Sequence, residues 1–264
     1  MLKQRTQKEF INVAAHELRT PIQPILGLSE ILRSRLTKGP EWQGRDLLDI
    51  IIRNAKRLQR LAEDILDVTR IESQSLKLKK ERFNLNQLVL QIVEDHRNQI
   101  SRAGSDPASV NSDMGIELAF VPQKDSIFIE ADKSRISQVI SNLLSNAIKF
   151  TIQKEKEGEK HGKTILVTID KNDQHNEAIV SIRDAGIGID SEIFPRLFSK
   201  FASKSFEGTG LGLFISKSII EAHGGKIWAE NNSTNGHLEG GATFRFSLAL
   251  SQAKYQDIQA IIDT

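Results

Sequence analysis

The stretch from Phe10 to Pro21 reads F-I-N-V-A-A-H-E-L-R-T-P. Apolar or small residues recur at Ile11, Ala14, Leu18, Pro21, Ile25, Leu28 and Leu32. These alternating steps of three and four make the seam of a coiled coil or helical bundle. His16 falls off that seam, on the outer face, with Glu17 next to it. Thr20 lies one helical turn further along the same face. The pattern therefore buries the neighbours of the imidazole and leaves the imidazole in water. A lone histidine so placed is usually one more polar residue on a solvated surface, so the rest of the chain has to decide its meaning.

Working outward, the register continues upstream with Gln4 and Gln7 on the seam. The chain is thus expected to begin inside or just before a helix, as a truncated one would. Pro21 and Pro24 each remove a backbone donor, which predicts a bend just after His16 rather than a break, because the seam continues. Thr37 to Gly44, with Gly39 and Pro40, reads as a turn. A second helix follows with Leu47, Ile51, Leu58, Leu61, Ile65 and Val68 on one stripe, and Leu48, Ile52, Ala55, Ala62 and Leu66 on the next. Two adjacent stripes are wider than a single hairpin buries, which favours pairing with a second copy as a four-helix bundle. The competing arrangement packs the hairpin against another part of the same chain.

From Leu76 the period changes. S-L-K-L-K-K alternates as a short strand does, and Asn84 reads as an N-cap. A helix runs through Leu88, Ile92 and Val93, Ala103 to Gly115 reads as a loop, and two short strands are expected near 116–120 and 127–130. Asp132 to Phe150 is strongly amphipathic: Ile136, Val139, Ile140, Leu143, Leu144, Ala147 and Ile148 against Gln138, Asn142, Ser145, Asn146 and Lys149. Asn142 and Asn146, one turn apart, are either surface residues or amide oxygens presented to a cation and a polyphosphate, with Lys149 supplying charge. Gln153 to Lys163 reads as a solvated loop. Strands through Ile165, Val167, Ile169 and through Ala178, Val180, Ile182 lead into D-A-G-I-G, Asp184 to Gly188. A carboxylate at a strand end can accept from an exocyclic amine such as that of adenine, and glycines let backbone approach a flat ring. Phe194, Phe198 and Phe201 are either core or a docking surface. E-G-T-G-L-G-L, Glu207 to Leu213, precedes a helix that stops at His223-Gly224-Gly225. Glycines before a helix suit phosphate, but no Walker A lysine follows, and no protein-kinase HRD or DFG set is present. Closing strands are expected at 226–230 and 243–250, with Gly240-Gly241-Ala242 as the turn between.

A net charge of +2 argues against a nucleic-acid binder. No apolar run is long enough to span a membrane and no signal peptide is visible. The absence of cysteine excludes disulfides and thiolate sites and fits a cytoplasmic location. At 264 residues the chain fits one large or two ordinary domains.

H-E-L-R-T-P, N-L-L-S-N-A-I-K-F-T, D-A-G-I-G-I, the phenylalanine stretch, G-T-G-L-G-L and G-G-A-T-F resemble, in order, the motif boxes of the sensor histidine kinases of two-component signalling. The resemblance covers residues 10 to about 250. It implies an α plus α/β protein: a dimerisation and histidine-phosphotransfer hairpin at 1–76, forming a dimeric four-helix bundle, then a Bergerat-type α/β sandwich ATPase domain at 77–250, with a C-terminal tail at 251–264. It implies ATP and Mg2+ as cofactors, autophosphorylation, and the receiver domain of a response regulator as partner to a homodimer. Carried over by residue, His16 is the phosphoacceptor, Glu17 its general base, and Thr20 positions water when the regulator is dephosphorylated. Asn146 is the magnesium ligand, with Asn142 nearby and Lys149 on the phosphates. Asp184 holds the adenine amine, with Gly186 and Gly188 beneath the ring. Gly208, Gly210 and Gly212 form the lid and its hinge, and Thr243 joins the nucleotide set. The sequence departs from the pattern at Ala185, where Thr or Asn is common, and in a short lid that carries Lys204 but no arginine. The readings that compete are an ATP-hydrolysing dimer clamp of the same superfamily, as in chaperone, gyrase and mismatch-repair ATPases, and a phosphatase-biased or non-enzymatic scaffold.

Overall fold

The computed structural model describes residues 14, 18–32, 45–104, 115–156, 164–202, 209–234 and 237–251. His16, Glu17, Gly208 and the expected turn at Thr37 to Gly44 lie outside the described residues, as do most of the Ala103–Gly115 loop and the tail. The chain divides into two compact units, Met1–Leu76 with Ser205–Leu211, and Lys77–Lys204 with Gly212–Thr264.

In the first unit, residues 18–32 form helix α1, which runs unbroken through Pro21 and Pro24. Helix α2 is Arg45–Glu72. Its first stripe faces inward: Leu61 and Val68 are buried and Leu47, Ile51, Leu58 and Ile65 half-buried. Its second stripe faces out, with Leu48, Ile52 and Leu66 each about half exposed, and Ile22, Leu26 and Ile31 of α1 are exposed as well. Helix α2 closes with a left-handed residue, Gln74 (φ 52°). The Ser75 N–H reaches the Arg70 carbonyl and the Gln74 N–H reaches Ile71, the paired bonds of a Schellman end. Within this unit the Thr209 hydroxyl donates to Asp64 Oδ2 at 3.0 Å. Burial pushes the Asp64 carboxyl up to about 6, with the Thr209 hydrogen bond acting the other way.

The second unit is built on a five-stranded sheet ordered β2-β4-β5-β7-β6. The strands are β2 Glu117–Val121, β4 Thr164–Asn172, β5 Glu177–Arg183, β6 Ile227–Thr234 and β7 His237–Ala249. Only β2–β4 is parallel. A separate pair joins β1 Glu81–Asn84 to β3 Phe128–Ala131, antiparallel. Register puts Val167 opposite Ile182 opposite Phe244, and Ile169 opposite Val180 opposite Phe246. Directly paired residues share a sheet face, so these side chains make one continuous apolar face. Helices α3 Leu85–Gly104, α4 Lys133–Lys156 and α5 Gly212–Ala222 complete the unit. Helix α4 buries Ile136, Val139, Ile140, Leu143, Leu144 and Ala147, the stripe its pattern predicts, while Ile148 is half-buried. Asn84 caps α3, its Oδ1 accepting from the Asn86 N–H at 2.9 Å. Asp132 caps α4 through the Ser134 hydroxyl and the Arg135 N–H.

Three expectations need correction. Gln153 to Lys156 are not loop but the last turn of α4, and 157–163 lie outside the described residues. S-L-K-L-K-K is not a strand: residues 75–80 carry no ladder, and the strand begins at Glu81. Alternation half-buries Leu76 and Leu78, but the segment is tied by a side chain, the Lys79 N–H donating to Asp132 Oδ2 at 2.9 Å. Nor are Gly240 and Gly241 a turn. They lie inside β7 with φ of 76° and 85°. The pairing Asn231↔Ala242 gives way to Ser233↔Leu238, so one residue of β6 faces three of β7. That is a β-bulge carried by glycines. Helix α5 ends as expected: Gly224 (φ 80°) with bonds from its N–H to Glu221 and from Gly225 to Ile220. Among the described residues no helix is long and apolar enough to cross a membrane.

Candidate nucleotide site

The second unit holds most of the expected residues, beginning with those at the carboxyl end of β5. Asp184 follows that strand and is only 4% exposed. Its Oδ1 accepts from the Gly186 N–H at 2.8 Å and the Ala242 N–H at 3.1 Å, while its own N–H donates to the Ala242 carbonyl. A carboxylate so held cannot swing, and its direction is set by backbone rather than by a flexible partner. Gly186 is buried against the C-terminal third of α4: a Cβ there would stand 2.8 Å from the Phe150 carbonyl carbon. Gly188 (φ 80°) needs its glycine for conformation.

Asn142 of α4 gives its amide to the Ser216 hydroxyl of α5 at 2.9 Å. Its Oδ1 lies where a Cβ on Gly212 would be only 2.4 Å away. The glycine therefore lets the first turn of α5 close on Asn142, and the free amides of that turn come with it. Asn146, one turn along α4, is half-buried and has no side-chain hydrogen bond among the described residues. Lys149 is half-buried, its ammonium 5.6 Å from the centre of the Phe150 ring. Gly210 has φ 66° and belongs to the first unit with Thr209 and Leu211. Thr20 is exposed on α1. Of the phenylalanine stretch, Phe194 is exposed and Phe198 and Phe201 half-buried; Ile193 and Leu197 supply the buried side chains instead.

Thr243 sits one step back from this centre. Its hydroxyl donates to Asn232 Oδ1 at 2.6 Å, and Asn232 Nδ2 donates to the Asp184 carbonyl at 2.8 Å. The backbone of its neighbour Ala242 touches the Asp184 carboxylate directly. Sequence reasoning missed Asn232 and Asn231, whose amide accepts from the Ile189 N–H at 2.6 Å and donates to the Ile189 carbonyl at 3.0 Å. Two adjacent asparagines inside a strand, where that residue type is disfavoured, were the available signal.

Comparison with known proteins agrees with this geometry. Residues 131–252 match the family described as histidine kinase-, DNA gyrase B-, and HSP90-like ATPase. Residues 6–74 match the His Kinase A (phospho-acceptor) domain. The catalytic domain of histidine kinase ThkA is 30% identical over 65% of this chain and 95% of that one, with a TM-score of 0.50. The chain belongs to the histidine kinases. Another structure of histidine kinase ThkA, in complex with response regulator protein TrrA, superposes with a TM-score of 0.64 at 29% identity, over 94% of this chain and 64% of that one. Sensor protein SrrB of Staphylococcus aureus (strain NCTC 8325 / PS 47) is 33% identical over 227 residues, 84% of this chain. This histidine kinase chain spans 35% of the length of SrrB, about a third of the curated relatives it matches.

Proposed function

We propose that the chain is the catalytic core of a sensor kinase that phosphorylates itself on His16 with ATP and passes the phosphoryl group to an aspartate of a response regulator. The observation that carries the reading is the Asp184 carboxylate, buried at a strand end and aimed by two backbone amides, with the asparagine-bearing face of α4 and the glycine-led start of α5 in the same unit. Asp184 reads the exocyclic amine of adenine, and Gly186 and Gly188 keep the loop low enough for the ring. Lys149 and the first amides of α5, which Gly212 opens, take the phosphates, and Gly208 and Gly210 belong to the lid. Asn146 offers a hard amide oxygen, the donor type magnesium prefers. An ion held this way arrives with the nucleotide and keeps its phosphates and waters. When bound, magnesium neutralises phosphate charge as the phosphoryl group departs.

A nitrogen of neutral His16 attacks the γ-phosphorus, the bond to the β,γ-bridging oxygen breaks, and ADP leaves. Glu17 receives the proton from the other ring nitrogen. The phosphorus–nitrogen bond then breaks as the phosphoryl group moves to the regulator's aspartate. Thr20 serves the reverse branch by positioning water for dephosphorylation of the regulator. The exposed second stripe of α2, with Leu48, Ile52 and Leu66, supports a homodimer in which another copy covers it. The working compartment is the cytoplasm.

Incubation with γ-labelled ATP and magnesium tests the proposal on wild type, His16→Gln and Asn146→Ala. Acid-labile label is expected on wild type alone. Label retained by His16→Gln would refute the assignment of the acceptor.

A further inference from the structure

The loop from Asp184 to Ile189 is held from two strands away. Strand β7 lies between β5 and β6, so a side chain of β6 must cross β7 to reach the end of β5. It does so at the bulge. A Cβ on Gly241 would stand 2.1 Å from the Asp184 carbonyl oxygen and 2.9 Å from Asn232 Nδ2, so only a glycine leaves the passage open. Through it Asn232 donates to the Asp184 carbonyl, with its own oxygen fixed by the buried Thr243 hydroxyl. Asn231 grips the far end of the loop, accepting from the Ile189 N–H and donating to the Ile189 carbonyl, as a neighbouring strand would. The Asn231 oxygen also stands 3.0 Å from where a Cβ on Gly188 would be.

We infer that Asn231 and Asn232 are positioning residues that set the shape of the Asp184–Ile189 loop and, through it, the affinity for ATP and the preference for adenine over guanine. The inference rests on the reading of Asp184 given under the proposed function. The loop has no ladder of its own: residues 184–190 lie outside any strand or helix. Its Ile189 end takes its place from the Asn231 side chain, and at its Asp184 end the Asn232 side chain adds to the backbone bond from the Asp184 N–H to the Ala242 carbonyl. A donor or acceptor removed from either asparagine leaves a loop carbonyl or amide without that partner. A carboxylate that reads an amine must be placed to within a few tenths of an ångström, so loosening its backbone blurs the choice between an amine and a carbonyl on the purine. The pair lines a polar hollow of about 500 Å3, together with Thr243 and Arg183. Truncation there admits water rather than leaving a dry void, which favours survival of the fold.

The test measures binding of ATP and GTP, with the full chain, to wild type, Asn231→Ala and the milder Asn231→Asp, which keeps the acceptor for the Ile189 N–H but loses the donor. Labelling kinetics on the same proteins give KM for ATP and kcat. Asn231→Ala is expected to weaken ATP binding about tenfold and to lower the ATP-to-GTP ratio, with Asn231→Asp intermediate and the loss falling on KM more than on kcat. A folded Asn231→Ala with wild-type affinity and wild-type preference overturns the inference while leaving the site intact. If Asn231→Ala does not fold, a wild-type ratio in Asn231→Asp overturns it equally. A wild type that binds neither nucleotide overturns the Asp184 reading itself.

Discussion

Replacing Asp64 by Asn should stabilise the helical unit at neutral pH and do nothing for it in acid. Asp64 lies on α2 with its carboxyl raised from 3.8 to about 6, chiefly by burial, with Asp67 and Glu63 adding to the rise and Thr209 and Arg60 opposing it. At about 1.4 kcal/mol per pH unit, such a rise makes the charged form roughly 3 kcal/mol less favourable in the folded chain than in the unfolded one. The side chain keeps some contact with water, and screening trims the gain to about 1–2 kcal/mol. Asparagine retains an oxygen for the Thr209 hydroxyl, so the contact at 3.0 Å survives the change. Because the folded value is raised, the wild type has its full share of stability below 3.8 and loses it as pH rises through about 6. The variant should therefore draw ahead of wild type as pH rises through that window and keep its full gain above it. Urea unfolding followed by far-ultraviolet circular dichroism, at about pH 7.5 and about pH 4, measures the difference. Equal curves at both pH values, or an equal gain at both, would refute the claim that a buried charge is what costs stability here.

Two further outcomes follow from packing. Gly225→Ala places a Cβ 1.9 Å from the Ser247 carbonyl oxygen, a backbone atom that cannot rotate away, and should cost about 2–3 kcal/mol in thermal or urea unfolding. Thr151→Val keeps the shape of a side chain that is 4% exposed and removes a hydroxyl with no hydrogen-bond partner among the described residues. It should raise stability by about 1 kcal/mol, and a loss of stability would mean that the hydroxyl has a bound water worth keeping.

What the sequence made legible was local and periodic. The stripe of α4 is read from spacing alone because one face of that helix meets the sheet and the other does not. The end of α5 is equally plain, since a left-handed residue after an apolar run has few other uses. Gly240 and Gly241 misled for a physical reason: positive φ serves a turn and a bulge alike, and only the arrival of Asp184 from another strand tells them apart. Asn231 and Asn232 were hidden in N-N-S-T, a composition that reads as loop, because their partners lie more than forty residues away in sequence. Leu76 and Leu78 alternate with lysines as a strand would, yet residues 75–80 carry no ladder and are tied by the Asp132 side chain instead.

Helix α1 has one more property that its sequence shares with few ordinary helices. Pro21 and Pro24 have no amide hydrogen to give to the turn before them, Gly27 has nothing within 4 Å of where its side chain would be, and the Ser29 hydroxyl bonds the Ile25 carbonyl at 2.6 Å. Helix α2 has neither proline nor glycine in its 28 residues. The hairpin thus couples a soft rod to a stiff one. Bends in helices fall where the i→i−4 ladder loses a donor, so of the two helices α1 is the one whose sequence favours a bend, in the turns that follow His16 in the chain.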